Sequence, residues 1–314
     1  MNDKPVFVIF GNSSAEALSN IVRSVSIVSD EYDVVYRNSS RSTASPVVID
    51  GDLAARLRIG WIQYDLKHKL DLNSIPPSAD ILTFPDLNCS ALWPFHIADP
   101  LNFANGVPGG AIPYGDRAVI RLSDTPDLTA DRLCAAYEAE LATVDHDLLW
   151  AAQIQRWKQM DSSCQVQMTQ FLTSHFGLRK LFLTPDHPTS LLLLELLRQI
   201  LSFNRALSGA QIGAIAKKAV DTLSMEPFRA IETPVFRSVA KKYSLQWWDE
   251  GDHYASFDQS VTREQYLYNY YLTRRAQLPP ATALEVEPQT ENVMSAIRSQ
   301  IARFFDMIAK RADH

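Results

Sequence analysis

The sequence predicts an α/β fold, a mostly parallel sheet flanked by helices with a helical C-terminal part. Three observations carry this. The chain opens on a strand, a tight polar turn and an amphipathic helix; short apolar runs then recur between helical or loop segments, as in successive βαβ units; beyond Asn204 the pattern turns mainly helical.

Val6-Phe7-Val8-Ile9-Phe10 is an apolar run of the kind that forms a buried parallel strand. Gly11-Asn12-Ser13-Ser14 interrupts it, and Leu18, Ile21, Val22 and Val25 then repeat as one stripe of a helix. Tyr32-Asp33-Val34-Val35-Tyr36 reads as a second strand ending at Arg37-Asn38, followed by a polar loop over Ser39 to Pro46. A short helix is expected from Leu53 to Leu57. Strands three and four are Ile59 to Ile62, stopping at Gln63, and Ala79 to Phe84, running into Pro85-Asp86-Leu87-Asn88. Residues 94–125 hold Pro94, Pro100, Pro108, Gly109-Gly110, Pro113 and Gly115, which marks an irregular excursion forming a lid or one wall of a site. Thr129 to about His175 is helical in pattern, with Gly177 as a stop. Lys180 to Thr184 supplies a fifth strand, leading through Pro185-Asp186-His187-Pro188 into a helix over Thr189 to Phe203. Further helices fall at 211–223, 235–242 and 264–276. Val293, Ile297, Ile301, Phe304, Phe305 and Ile308 then form the stripe of a last helix, which docks on its own domain or pairs with a second copy. The expected organisation is a core domain at 1–205, a helical extension packed on it at 206–277, and a linker with the last helix at 278–314.

Composition narrows the function. With 314 residues, 46% hydrophobic and 21% charged, the chain has the length and balance for a proper core. A formal charge of −6 leaves no basic excess to neutralise nucleic-acid phosphates. Cys89, Cys134 and Cys164 are far apart and form no CxxC pair, which reads as reduced thiols. No signal-peptide pattern opens the chain and no apolar run is long enough to span a bilayer, so a cytoplasmic location is expected. His68, His96, His146, His175 and His253 show no ligand-type pairing, so no metal is expected. There is neither a GxGxxG turn nor a P-loop.

The candidate site follows from topology. Each predicted strand ends in groups able to do chemistry: Gly11-Asn12-Ser13-Ser14, Arg37-Asn38, Gln63, Asp86 with Asn88, and Asp186-His187. In a parallel sheet these ends share one edge, where open α/β sheets bind ligands. Ser13 and Ser14 also open a helix, where free N–H groups favour negative charge; the plainer reading is that Asn12 or Ser13 caps it. His187 is the single best candidate. Pro188 suits a first helical position, which puts His187 at the cap, where the helix dipole favours a neutral ring able to accept a proton. A capping or core histidine reads equally well from this motif. Asp186 is a poor orienter for it, since sequence neighbours at a strand end point apart, so no Ser–His–Asp triad is legible. Lys67, His68, Lys69, Arg37 and Arg41 are phosphate contacts or solvated surface charge.

The opening strand through Gly11-Asn12, Phe84-Pro85-Asp86-Leu87, Trp93-Pro94 and Leu181-Phe182 through His187-Pro188-Thr189 together resemble the WcbI-type polysaccharide biosynthesis proteins. Thr233-Pro234-Val235-Phe236 and Thr262-Arg263-Glu264-Gln265-Tyr266 are similar in character to that family's C-terminal part, so the resemblance covers roughly residues 5–275 in order. It implies a layout related to the SGNH hydrolases, binding of coenzyme A or acetyl-CoA, and transfer of an acetyl group to a sugar hydroxyl in capsule or other polysaccharide synthesis. By resemblance Asn12, Ser13, Ser14, the Asn88 region and His187 line the site, and Gly11, Ser14, Arg37 and Gln63 are the expected cofactor contacts. Three departures stand out. Ser13 replaces the family's cysteine in Gly-Asn-Cys-Gln, and a hydroxyl is the poorer nucleophile without an activating base. Trp93 replaces a histidine before proline, and Asp186 stands where Asn is usual.

Three functions are therefore expected in competition. In an acyl-CoA-dependent O-acyltransferase, His187 takes the acceptor's proton while Asn12, Asn88 and backbone N–H groups stabilise the oxyanion, with Ser13 a covalent relay or a donor. A carbohydrate esterase would use Ser13 and His187 with a carboxylate on the imidazole. The third is a CoA- or glycan-binding protein without turnover.

Overall fold

The computed structural model describes residues 4–38, 51–64, 75–97, 114–256 and 259–277. The loop at Ser39 to Pro46, Lys67 to Lys69, the middle of the 94–125 excursion and the last predicted helix lie outside the described residues. Met1–Arg275 form one compact unit and Ala276–His314 a second.

Strand β1 (Val6–Gly11) is buried along its whole length, as a near-continuous apolar run requires of a central strand. It pairs in parallel with β2 (Asp33–Asn38) on one side and with β3 (Leu57–Tyr64) on the other. A fourth strand, β4 (Asp80–Pro85), adds in parallel to β3, giving the order β2-β1-β3-β4. Alternate side chains of β1 serve two cores. Phe7 and Ile9 join a large cluster with Leu18, Ile21, Val22, Trp61 and Phe84, whereas Val6, Val8 and Phe10 meet Leu53, Leu57 and Ile62 on the opposite face. Because β2 and β3 lie on opposite sides of β1, the order reverses at β1, and the carboxyl ends of β1 and β3 form the switch point where open α/β sheets bind ligands.

Helix α1 (Ser13–Arg23) follows β1 at once, with Asn12 as its N-cap; Asn12 Oδ1 accepts the Ser14 N–H at 2.9 Å. After it come the one-turn α2 (Ser26–Ser29) and α3 (Gly51–Arg56). The short helix thus ends one residue before the expected Leu57, which already belongs to β3. Part of the Pro/Gly-rich excursion is ordered as a small antiparallel pair, β5 (His96–Ile97) with β6 (Gly115–Asp116), and as α4 (Arg117–Leu122). The helical stretch after Thr129 resolves into α5 (Ala130–Leu141), α6 (His146–Asp161) and α7 (Thr169–His175). The breaks have polar causes. Asp145 caps α6 through Leu148 N, and the Asp161 carboxylate accepts the N–H groups of Met168 and Thr169 at the start of α7.

The expected fifth strand is a correction. Phe182–Thr184 (β7) pairs antiparallel with His187–Pro188 (β8) in a ribbon separate from the main sheet. Its other side is also taken, since Leu183 O accepts Thr233 N at 2.8 Å. The free edge of β4 is closed by a different segment: Thr83 N donates to Gln165 Oε1 at 2.7 Å and Val166 N to Thr83 O at 3.3 Å. Residues 180–184 therefore find the β4 edge already occupied. The following helix, α8 (Ser190–Phe203), begins one residue later than expected, with Thr189 as N-cap. Its first N–H donates to both oxygens of the Glu226 carboxylate, so a charged group distant in sequence does the capping.

Helix α9 (Gly209–Leu223) opens with a capping box between Ser208 and Gln211 and packs against α8 and α1. The remaining elements are α10 (Arg237–Lys242), the hairpin β9 (Tyr254–Ser256) with β10 (Gln259–Val261), and α11 (Arg263–Gln277).

Gly11 is the tightest point of the frame. A Cβ there would stand 2.6 Å from Gln63 Cβ and 2.7 Å from Ala15 Cβ, and its φ is +156°. Gly11→Ala is expected to lower the stability read by urea unfolding by about 1–3 kcal/mol, the usual cost of overpacking; an unchanged midpoint would contradict this packing.

Candidate active site at the carboxyl edge of the sheet

The carboxylate of Asp86, one residue past β4, gathers the ends of three strands. Its Oδ1 accepts from Asn12 Nδ2 at 2.8 Å and Gln63 Nε2 at 3.2 Å, and its Oδ2 from Asn88 Nδ2 at 2.6 Å. Gln63 closes the ring, its Oε1 accepting the Asn12 N–H at 2.7 Å. Tyr36 of β2 reaches across β1 and donates toward the carbonyls of Gly11 and Asn12, each at 3.2 Å. Residues from β1, β2, β3 and the loop after β4 are thus tied together at the edge where the strand order reverses.

From Asn88 the network continues to the ribbon carrying His187. Asn88 O accepts Trp157 Nε1 at 2.9 Å and Gln153 Nε2 at 3.2 Å, which anchors this loop on α6. The next residue, Cys89, donates its N–H to Pro185 O at 2.9 Å. Two residues on, His187 stacks flat on Phe228, ring centroids 4.5 Å apart at 4°, and its Nδ1 meets Tyr114 OH at 3.0 Å. His187 N donates to Thr184 Oγ1 at 3.1 Å. Nε2 has no partner among the described residues. Helix α1, which begins at Ser13, packs against β8.

Burial of the imidazole holds the pKa of His187 below 6.5, against the opposing pull of the Asp186 charge. The ring is neutral near pH 7, as the sequence anticipates, for a different reason: His187 lies in a strand, not at a helix cap. The same two influences act on His96, whose ring lies 5.6 Å from that of Tyr114. Burial pushes the Tyr114 phenol up to about 12. A cavity of about 20 Å³, room for about one water, lies against His96, Tyr114 and Thr233. His96 Nδ1 and Thr233 Oγ1 are buried there with no hydrogen-bond partner among the described residues.

The predicted site residues fall into groups. Asn12 and Asn88 share Asp86, and Ser13 stands half-buried at the first position of α1, with no hydrogen bond to His187. Ser14 is fully buried and its N–H serves the Asn12 cap; Gln63 is 5% exposed with its amide committed at both ends. Gly11 is buried beneath it, and Arg37 is exposed at the end of β2. Trp93, where the family pattern has histidine, is a packing residue whose Nε1 donates to the carbonyls of Thr233 and Pro234. None of the three cysteines replaces the missing thiol. Burial raises Cys89 and Cys164 to about 12 and Cys134 to about 11, so all stay protonated near pH 7. Tyr114, which meets the imidazole, was legible only as one of the aromatics that mark the 94–125 excursion as a lid or one wall of a site; Phe228 carried no signal of its own, and Asp86 showed only as a polar residue at a strand end. Among the described residues no cluster of His, Cys, Asp or Glu could hold a metal ion, and no helix is long and apolar enough to cross a membrane.

Fold and site define an α/β protein with its reactive groups at the switch point of a parallel sheet. The model described as the polysaccharide biosynthesis enzyme WcbI matches residues 6–204, and the chain belongs to that family. A solved structure of WcbI, described as a novel polysaccharide biosynthesis enzyme in its native form without a disulfide bond between CoA and a cysteine, is similar in fold. Its TM-score is 0.62 at 15% identity, over 88% of this chain and 91% of that one. No curated protein matches the sequence.

The depressed imidazoles set a pH dependence. The unfolded chain takes up protons at His187 and His96 as pH falls through about 6.5, while the folded protein resists them, so stability drops as pH falls below that value. Urea midpoints measured from pH 7.5 to 5.5 should decline, and His96→Gln with His187→Gln should flatten the decline; an equal slope in the double variant would refute it.

Proposed function

We propose that this chain is an acyl-CoA-dependent O-acyltransferase, transferring an acetyl group to a sugar hydroxyl in polysaccharide biosynthesis. The observation that carries the reading is the Asp86-centred ring of Asn12, Gln63 and Asn88 at the β1/β3 switch point, tied through Cys89 and Pro185 to His187, whose Nε2 has no partner among the described residues. Membership of a polysaccharide biosynthesis family supports the sugar acceptor. A fold shared with a protein whose description names CoA supports the acyl donor.

The donor set fits a phosphate-bearing thioester. The first turn of α1 leaves N–H groups without intrahelical acceptors, and the exposed Arg37 guanidinium offers a bidentate phosphate contact on the same edge. Gly11, Ser14 and Gln63 shape that wall from within. Acyl-CoA supplies an activated acyl carbon; the acceptor oxygen replaces sulfur on it, and the hydroxyl proton ends on the thiol. Asn12 and Asn88, each with one amide hydrogen bonded to Asp86, have a second to serve as oxyanion donors. His187 is the proton-handling group, and Ser13 is a further hydroxyl donor or relay.

The esterase reading needs a carboxylate on the imidazole, and Nδ1 is occupied by the Tyr114 hydroxyl instead.

CoA and acetyl-CoA should each raise the melting temperature of the purified protein, and acetyl-CoA with an acceptor sugar should release free thiol. His187→Ala is expected to cut the rate roughly 100-fold or more, the scale of losing an acid–base or oxyanion group, while leaving the CoA-induced shift in place. No shift with either compound would end this reading.

A further inference from the structure

Between the end of α9 and Ile231 the chain runs over the surface. Ser224, Met225, Pro227, Arg229 and Ala230 are all exposed, and Glu226 and Phe228 are the two side chains that turn inward. Both reach one short segment far earlier in the chain, residues 187–190. The carboxylate oxygens of Glu226 accept the Ser190 N–H at 3.0 and 2.9 Å, and the Phe228 ring lies flat on His187, centroids 4.5 Å apart at 4°. One contact grips the segment by its backbone and the other by the face of its imidazole. Glu226 does so at φ +46°, in the left-handed region that a residue with a Cβ rarely adopts. Such a conformation persists where surrounding contacts impose it. The stretch is closed by its own turns, Arg229 N to Glu226 O at 3.1 Å and Ile231 N to Phe228 O at 3.5 Å. Beyond it, Thr233 N donates to Leu183 O and Glu232 pairs with Lys180, so its far end is fixed on β7.

The other neighbours of the imidazole constrain it less. Tyr114 OH meets a single ring atom, Nδ1, at 3.0 Å, which leaves the tilt of the ring open. Asp186 acts on it through charge, and His96 lies beyond Tyr114. A stacked ring removes the remaining freedom.

We propose that residues 224–230 act as a clamp on the site, in which Phe228 sets the plane of the His187 ring and Glu226 holds the segment that carries it. Both are positioning residues. The consequence for turnover rests on the acyltransferase reading: a proton-handling ring must keep its nitrogen within hydrogen-bond reach of the reacting group, and a misplacement of about 1 Å can cost about 100-fold.

The test follows the imidazole resonances of the full chain by NMR from pH 7.5 to 5.5 without CoA, with His187 assigned by its loss in His187→Gln. In the wild type the ring titrates below 6.5. Phe228→Ala uncovers one face and should bring the midpoint up toward 6.5, while Phe228→Tyr keeps a ring there and should hold the wild-type midpoint. Glu226→Ala touches no atom of the imidazole and should still move the midpoint upward; Glu226→Gln keeps an acceptor for the Ser190 N–H and should not. A wild-type midpoint in either alanine variant overturns the clamp, as does a shift in either conservative variant as large as in its alanine partner. Should circular dichroism show Phe228→Ala unfolded, the Glu226 pair decides. With acetyl-CoA and an acceptor sugar, kcat of the alanine variants should fall about 10- to 100-fold with KM for acetyl-CoA unchanged; an unchanged kcat overturns the role in turnover. The titrations need no ligand, so failure of CoA binding would remove the acyltransferase reading while leaving the clamp standing.

Discussion

The carboxylate of Asp86 is the interaction on which the rest of the site depends. It is an acceptor without a donor of its own, facing carboxamides from the first turn, from β3 and from its own loop. Hydrogen bonds to a charged group are worth about 1.5–3 kcal/mol each, roughly twice those between neutral partners. That strength suits the location. The carboxyl ends of parallel strands diverge, and their terminal polar groups would otherwise be satisfied separately by water. A shared charge makes them one unit. The unit closes only because Gly11 carries no side chain, letting the Gln63 amide lie against the turn and accept the Asn12 N–H.

The first half of this frame was legible because its cause is local. An apolar run, a glycine-bearing polar turn and a helical stripe specify β1 and α1 without reference to any other part of the chain, and the strand ends were polar in a way that singled out Asp86 with Asn88. The second half was not legible because its causes are distant. Residues 180–184 have the composition of a sheet strand, yet Gln165 and Val166 already occupy the β4 edge and Thr233 meets Leu183. Pro188 suits a helix start, but α8 begins at Ser190, where Glu226 supplies its charge from another part of the chain. Tyr114 lies in a stretch whose prolines and glycines announce irregular structure and nothing about where a phenol points. No spacing rule links 114, 184, 187 and 228.

The neutrality of His187 shows how a right expectation can rest on the wrong force. A helix dipole and burial both disfavour the imidazolium, so either leads to a neutral ring. They differ in origin: a dipole belongs to one helix end, whereas burial comes from the ring packing against Phe228 and Tyr114.

A site with a hydroxyl where its relatives' pattern has a thiol must obtain its chemistry from elsewhere. The cysteines do not offer it, since burial keeps each protonated. Ser13 has no imidazole hydrogen-bonded to it, so nothing in the resting arrangement raises its nucleophilicity. What the edge does offer is donors: amide hydrogens of Asn12 and Asn88 oriented by Asp86, and the first turn of α1. Donors held in place by a rigid frame stabilise charge where it forms without reorganising, and that contribution does not require a covalent intermediate on the protein. Under the proposed acyltransferase reading, such a frame is suited to direct transfer between two bound substrates.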